Sequence, residues 1–171
     1  MKSKFRPIGE LIELTTEKNK DNTISNLLGI NISKNFMPSV ANISGTDLSK
    51  YKVVRKNIFA CNIMHVGRDE RLPIALYIDT EPAIVSPAYK TFKVINTQEV
   101  LPEYLMIFFQ RKEFDRLTWY YCDSSIRGGL DWGRFCEIEI PLPSISIQEK
   151  YIRMYTSLLE NQNSYQASYY L

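Results

Sequence analysis

The sequence lacks the short motifs that mark nucleotide, redox and metal chemistry. Its 171 residues include seven glycines, eight prolines, three cysteines and one histidine. No Gly-x-Gly-x-x-Gly or Gly-x-x-x-x-Gly-Lys-Ser/Thr occurs, and the pair Gly128-Gly129 has no lysine after it. No Cys-x-x-Cys pair occurs either. We therefore expect no cofactor and no bound metal.

A strong charge of one sign and a long apolar run are also missing. The chain has 21 Lys plus Arg against 19 Asp plus Glu, a net charge of +2, which excludes a polybasic protein. No apolar run reaches the roughly 18 residues of a membrane span. The basic start of the chain leads into Pro7 without the apolar stretch of a secretory leader. We expect a cytoplasmic protein with reduced cysteines and no membrane association.

Catalytic constellations are absent as well. Cys61 and His65 are four residues apart where a strand is expected to pass into a turn, so they do not face each other as on a helix. Neither has the third partner of a nucleophilic centre. A hydrolase that uses Cys61 or Cys122 is the least favoured alternative, and we predict that the chain is not an enzyme.

The residues that are present predict a mixture of strands and helices. Apolar and β-branched runs indicate strands in the ranges 27–32, 51–55, 58–61, 72–78, 83–85 and 91–95. Apolar spacing predicts a short helix from Pro7 to Leu14, and a proline-led helix from Pro102 to Phe109. A further strand, Glu137 to Ile140, is expected to end at Pro141.

The C-terminal segment has the clearest local pattern. Ser146 and Glu149 match a capping box, so we predict a helix that begins at about Ile147. It separates a globular part, residues 1–145, from a C-terminal helix, residues 146–171. An apolar stripe on that helix needs a partner to bury it, and we interpret it as a partner or dimer seam made of Tyr151, Ile152, Tyr155, Leu158 and Leu159.

Several runs, taken in order, carry a family resemblance. They are 29–36 (GINISKNF), 47–54 (DLSKYKVV) with Ile58-Phe59, 83–92 (AIVSPAYKTF), 102–105 (PEYL), and 138–143 (IEIPLP) leading to 148–152 (QEKYI). Together they resemble a target recognition domain of the specificity (S) subunits of type I restriction-modification systems. The resemblance implies an α+β fold, with a mixed, twisted β-sheet core, flanking helices and a protruding C-terminal helix that begins a helical spacer.

The resemblance also implies a function. Such a domain reads half of a bipartite sequence in double-stranded DNA, without a covalent step, and the subunit holds the methyltransferase (modification) and restriction subunits on that site. A full subunit of the family has two such domains separated by long helices, whereas this sequence has one. It is therefore either a half-subunit that forms a homodimer through the helix or a part of a longer protein.

Base reading in the major groove needs paired donors and acceptors, and phosphate contacts need Arg or Lys. Polar loops supply our candidate DNA-binding residues: Asn31, Lys34, Asn35, His65, Arg68, Tyr89, Lys90 and Arg127. The alternative is a non-catalytic protein- or RNA-interaction module that recruits a partner through its C-terminal helix, which the small net charge favours. Salt dependence separates the two, because phosphate contacts weaken steeply as salt rises.

Overall fold

The computed structural model describes residues 4–40, 45–64, 66–122 and 128–168. In these ranges the chain has the predicted α+β class. The strands are β1 (Lys4–Pro7), β2 (Ile12–Leu14), β3 (Leu27–Ile30), β4 (Phe36–Pro38), β5 (Lys52–Val54), β6 (Phe59–Cys61), β7 (Ile74–Leu76), β8 (Ala83–Val85), β9 (Lys90–Val94) and β10 (Glu139–Leu142). The helices are α1 (Val66–Asp69), α2 (Pro102–Phe109), α3 (Lys112–Tyr120), α4 (Trp132–Glu137) and α5 (Ile145–Ser168).

The strands form two four-stranded sheets and one pair. One sheet has the order β2-β9-β6-β7 and is antiparallel throughout. The other has the order β4-β3-β8-β5 and is mixed, because β3 and β8 run parallel. β1 pairs with β10. Every residue of β6 and β8 is buried, which fits their uninterrupted apolar runs.

The main core lies between the antiparallel sheet and helices α2 to α4. Five phenylalanines fill it, from two strands and three helices: Phe59, Phe92, Phe109, Phe114 and Phe135. The rings of Phe59 and Phe92 stack with centroids 4.9 Å apart. Because each buried ring contributes about 1.5–3 kcal/mol, this cluster fixes how the helices lie on the sheet. A smaller cluster around Tyr77 and Val85 includes buried residues of the mixed sheet.

The helix predicted from Pro7 to Leu14 is wrong. The segment is the end of β1, one 3-10 turn over Ile8–Glu10, and then β2. Ile8, Leu11 and Ile12 are buried as their spacing indicates. Their backbone groups pair with distant strands instead of forming a helix, because β10 and β9 supply partners that the local pattern cannot reveal.

Two boundaries near the C-terminus also differ from prediction. β10 continues through Pro141, which an edge strand tolerates, because among the described strands β10 pairs with β1 alone. The predicted helix start, based on a capping box at Ser146, is wrong. α5 already begins at Ile145, and the Ser144 carbonyl accepts hydrogen bonds from the amides of Ile147 and Gln148. Within the described ranges, no helix has both the length and the apolar composition of a membrane span.

Candidate functional site

Several predicted contact loops leave the sheets on the same side. β3 and β8 are parallel, with Leu28 opposite Val85, so Asn31 and Ser86 follow strand ends that lie together. β5 starts there, because Lys52 is opposite Val85. In the other sheet the end of β6 pairs with the start of β9, Cys61 opposite Lys90. We call this side, residues 31–35, 62–64, 66–71, 86–90 and 128–130, the loop edge.

Two glycines join distant parts of the loop edge. The Gly67 amide donates to the Gly128 carbonyl at 2.6 Å, and a Cβ built on Gly67 would lie 2.6 Å from the Gly128 Cα. No larger residue fits at Gly67 without displacing backbone, and Gly128 also has a φ of +55°. The Leu130 amide donates to the Ile63 carbonyl at 2.8 Å, so Ile63 and Gly67 both lie against residues 128–130.

Three predicted contact residues fall in or near these segments. His65 and Arg127 lie outside the described residues, as does the side chain of Arg68. The sequence neighbours Met64 and Gly67 lie close to Gly129 and Gly128, respectively. The structure thus places the loop that contains Met64 and Gly67 next to the loop that contains Gly128 and Gly129. Nothing in the sequence indicates that these two loops are neighbours.

Tyr89 connects the Ser-Pro-Ala-Tyr turn to the β3–β4 turn. Its amide donates to the Ser86 carbonyl at 3.0 Å, and its hydroxyl oxygen accepts the Ile30 amide at 3.3 Å. The ring packs against the smaller core cluster and is half-buried. Tyr89 therefore holds Ile30, the residue that precedes Asn31. Lys90, the next residue after Tyr89, starts β9 and is half-buried.

The two predicted asparagines shape the β3–β4 turn itself. The Asn31 carboxamide oxygen accepts the Asn35 amide at 3.0 Å, so part of its hydrogen-bonding capacity is used inside the turn. Asn35 is exposed, and its side-chain amide donates to the Ser33 carbonyl at 3.1 Å. Asn35 is therefore the more accessible of the two.

Lys34 is not on the accessible surface of the loop edge. Its side chain is 5% exposed, and its ammonium donates to the Phe109 carbonyl and lies 2.7 Å from the Asp115 carboxylate. Burial lowers the pKa of Lys34, and the hydrogen bond to Asp115 opposes that shift. We correct the prediction here: Lys34 anchors the turn to helices α2 and α3, because its charge is already paired inside the fold.

Sequence reasoning missed two lysines that lie beside the loop edge. Lys52 begins β5, and Lys18 forms an isolated antiparallel bridge with it. Lys52 lies in the run 47–54 that carries the family resemblance, but neither lysine is among the contact candidates. Their position depends on the pairing of Lys52 with Val85 and of Lys18 with Lys52. The alternation of a strand cannot indicate which sheet edge its first residue will occupy.

Comparisons with known proteins identify the fold. No protein-family model and no curated protein matches the sequence. Among solved structures, the HsdS subunit from Thermoanaerobacter tengcongensis aligns over 96% of this chain with a TM-score of 0.64 and 15% identity. The type I restriction-modification S subunit from M. genitalium aligns over 98% with a TM-score of 0.55 and 13% identity. The chain has the fold of a type I S subunit.

A third match is a chain from a structure of complex assembly and conformational transition of the type I R-M system, with a TM-score of 0.62, 8% identity and 96% of this chain covered. This chain spans only 40%, 44% and 41% of the lengths of the R-M system chain, the HsdS subunit and the M. genitalium subunit, in that order. The likeness therefore extends over less than half of each neighbour with the S-subunit fold.

In this S-subunit fold, α5 has two apolar faces instead of the single predicted stripe. Ile152 packs against the main core, and the Tyr155 hydroxyl donates to the Gln110 side chain. Ile152 and Tyr155 thus hold α5 on the domain. A neighbouring face, which we call the outer stripe, contains the exposed residues Ile147, Tyr151, Met154 and Leu158. Tyr151 also approaches the domain, because its ring centroid lies 6.2 Å from that of Tyr104.

The three cysteines of this chain are buried or half-buried, as is typical of cysteines that pack in a core. Cys61 is fully buried, and burial raises the pKa of its thiol to about 12. A neutral thiol of this kind is a poor nucleophile near neutral pH. Burial also raises the pKa of Cys136, and the Cys122 thiol lies 3.3 Å from the Thr118 carbonyl. None of this favours the cysteine hydrolase.

Proposed function

We propose that this chain is a target recognition domain of a type I restriction-modification specificity subunit, which reads a short sequence in double-stranded DNA. The observation that carries the proposal is the loop edge, where separate polar loops converge in a chain with the S-subunit fold. Major-groove reading needs several side chains aimed at one duplex, and convergent loops can supply them. The domain itself performs no covalent step.

Within this proposal the bases are read by side chains of the loop edge together with predicted contact residues that lie outside the described ones. Asn35, Tyr89 and Arg127 are the candidates that we would test first, with His65, Arg68 and Asn31 beside them. Lys90 contributes a phosphate contact, since an ammonium neutralises phosphate charge without distinguishing bases. The partners of the assembled subunit are a methyltransferase subunit and a restriction subunit, which perform the chemistry.

Equilibrium binding to duplex DNA tests this assignment. The parent is compared with Asn35→Ala and Arg127→Ala on a preferred duplex selected from a random pool, and Asn163→Ala on exposed α5 is the matched control. Loss of a base contact should cost about 1–3 kcal/mol and relax the preference at one position. If both variants bind every duplex as the control does, neither residue reads a base.

The salt dependence of the parent decides between the two function classes. A DNA-reading domain should lose affinity steeply between about 50 and 200 mM salt, because bound phosphates release counterions. A protein-interaction module should show little change for its partner. Failure of the parent to bind any duplex, with its methyltransferase subunit present, would contradict the DNA-reading proposal.

We further propose that a second copy of the chain covers the outer stripe of α5. Its residues, Ile147, Tyr151, Met154 and Leu158, are spaced by four, three and four, which is the spacing of a coiled-coil seam. Met154 is 63% and Leu158 is 65% exposed. The stripe contains no charged side chain, so pairing with its own copy buries no charge. Two copies would present two reading domains on one assembly.

Light scattering of the purified chain at micromolar concentration measures this association directly. The parent should have the mass of two chains, and Leu158→Glu should have the mass of one, because a carboxylate in the seam has no partner. Glu160→Lys, on another face of the same helix, is the control and should remain dimeric. A parent of monomeric mass would overturn the proposal of a second copy.

A further inference from the structure

Three lysines from separate segments meet beside Tyr89. Lys18 forms an antiparallel bridge with Lys52, and the Lys52 ammonium donates to the Tyr89 carbonyl. Lys90, the residue after Tyr89, starts β9. The Lys52 ammonium therefore contacts the Tyr89 carbonyl, while Lys18 lies opposite Lys52 in the bridge and Lys90 directly follows Tyr89.

The positive charges of this lysine cluster are not neutralised within the fold. Among the residues that the structure describes, none of the three forms an ion pair, although Arg6, Lys34, Arg55 and Lys93 each do. The pKa of Lys52 is lowered mainly by burial, and the positive charges of Lys90 and Lys18 lower it further. The Lys52 ammonium, which is half-buried, thus lies within reach of two further positive charges, and an external anion would relieve this repulsion.

We propose that Lys18, Lys52 and Lys90 form a clamp for one or two backbone phosphates of the DNA. This inference rests on the proposed function and assigns a role to two residues, Lys18 and Lys52, that are not among the predicted contact residues. Lysine suits the role because its ammonium is a compact point charge that binds phosphate without demanding a planar geometry. Polyanionic DNA supplies phosphates at regular spacing along its backbone.

The clamp also explains how a bound backbone would be placed relative to the base-reading loops. Tyr89 accepts the Ile30 amide through its hydroxyl, and its carbonyl accepts the Lys52 ammonium. One residue therefore links the lysine cluster to the β3–β4 turn that carries Asn31 and Asn35. A phosphate held by the cluster would set the register of the duplex against that turn.

The test measures binding of a fluorescently labelled random-sequence duplex across a salt titration. Lys18→Gln, Lys90→Gln and the double variant are compared with Lys93→Gln, whose lysine lies on the same strand but pairs with Glu13. Each clamp variant should bind all sequences several-fold more weakly. The slope of log K against log salt should fall by about 0.9 for each phosphate contact removed. Thermal unfolding of each variant checks that the fold is retained.

The outcomes separate this inference from the proposed function. If the clamp variants have the affinity and salt slope of Lys93→Gln, the clamp is overturned while DNA reading stands. If the parent binds random duplex through the clamp but selects no sequence, the clamp stands and the sequence-reading function fails. A parent that binds no duplex at low salt overturns both.

Discussion

Lys34 ties the β3–β4 turn to the interior through its charge. It has a φ of +62°, unusual for a residue with a side chain, and its ammonium lies between the Phe109 carbonyl and Asp115. Asp115 also accepts the Leu72 amide at 3.2 Å. One carboxylate therefore joins the turn, helix α3 and the segment before β7, which keeps Asn31 and Asn35 in a fixed position.

Breaking this pair should destabilise the fold far more than breaking a surface pair. Lys34→Met leaves the 13%-exposed Asp115 carboxylate without its cation, and we expect the free energy of unfolding to fall by about 3 kcal/mol. The control, Arg55→Met, removes an exposed pair with Glu17 and should cost less than about 1 kcal/mol. Urea unfolding measures both. Equal losses would mean that Lys34 is not an anchor.

The Cys61 thiol should not react with alkylating reagents in the folded protein. Its ionisation should lower the free energy of unfolding at high pH. Iodoacetamide near neutral pH should label Cys61 in urea but not in the native state, as peptide mass spectrometry would record.

The pKa of the Cys61 thiol is about 12 in the folded state against an ordinary 9.0, so the unfolded state loses its proton first. The free energy of unfolding should therefore fall as pH rises from 9 to 12, by up to about 1.4 kcal/mol per pH unit. Cys61→Ala should show a shallower decline. Rapid native labelling, or identical pH slopes for parent and variant, would contradict this account.

At the scale of elements, Gln148 fixes how α5 leaves the domain. Its side chain is fully buried; the oxygen accepts the Leu101 amide at 2.9 Å, and the nitrogen donates to the carbonyls of Glu99 and Pro143, each at 2.9 Å. The side chain thus joins the first turn of α5 to the residues that precede α2 and to the proline-containing end of β10.

A charge at this position should loosen α5 from the domain. In Gln148→Glu a carboxylate oxygen replaces the nitrogen that faces two carbonyl oxygens, so we expect a loss of about 3 kcal/mol at neutral pH. Protonation restores one donor, so the loss should be smaller near pH 4. Gln162→Glu, exposed on the same helix, should have little effect. Urea unfolding at both pH values tests this, and a pH-independent loss would count against it.

Local sequence patterns predicted the elements whose partners are nearby or whose periodicity is strong. α2 begins at Pro102 as predicted, strands β5, β6 and β8 lie within predicted runs, and β9 starts one residue before its predicted run. The N-terminal segment could not be predicted, because its partner β10 is at the other end of the domain. Similarly, composition indicated which loops are candidates for DNA contact, but the burial of Lys34 depends on Asp115, 81 residues later.

At the scale of the whole molecule, the proposed dimer makes a prediction about the DNA target. Two copies related by a two-fold axis carry identical reading domains, so they should recognise the same short sequence twice, in inverted orientation. The distance between the two halves would be set by the α5 helices that join the copies. Leu158→Glu should then still select the half-site but lose the fixed spacing, which sequencing of selected DNA would reveal.

The most direct test of sequence-specific reading is selection from a pool of random duplex DNA. The purified chain, alone and with its methyltransferase subunit, would be incubated with the pool at two salt concentrations, and the retained DNA would be sequenced. We predict one enriched short motif, retained less efficiently at the higher salt concentration. No enriched motif under any of these conditions, while the two proteins still associate, would contradict the account and favour an interaction module.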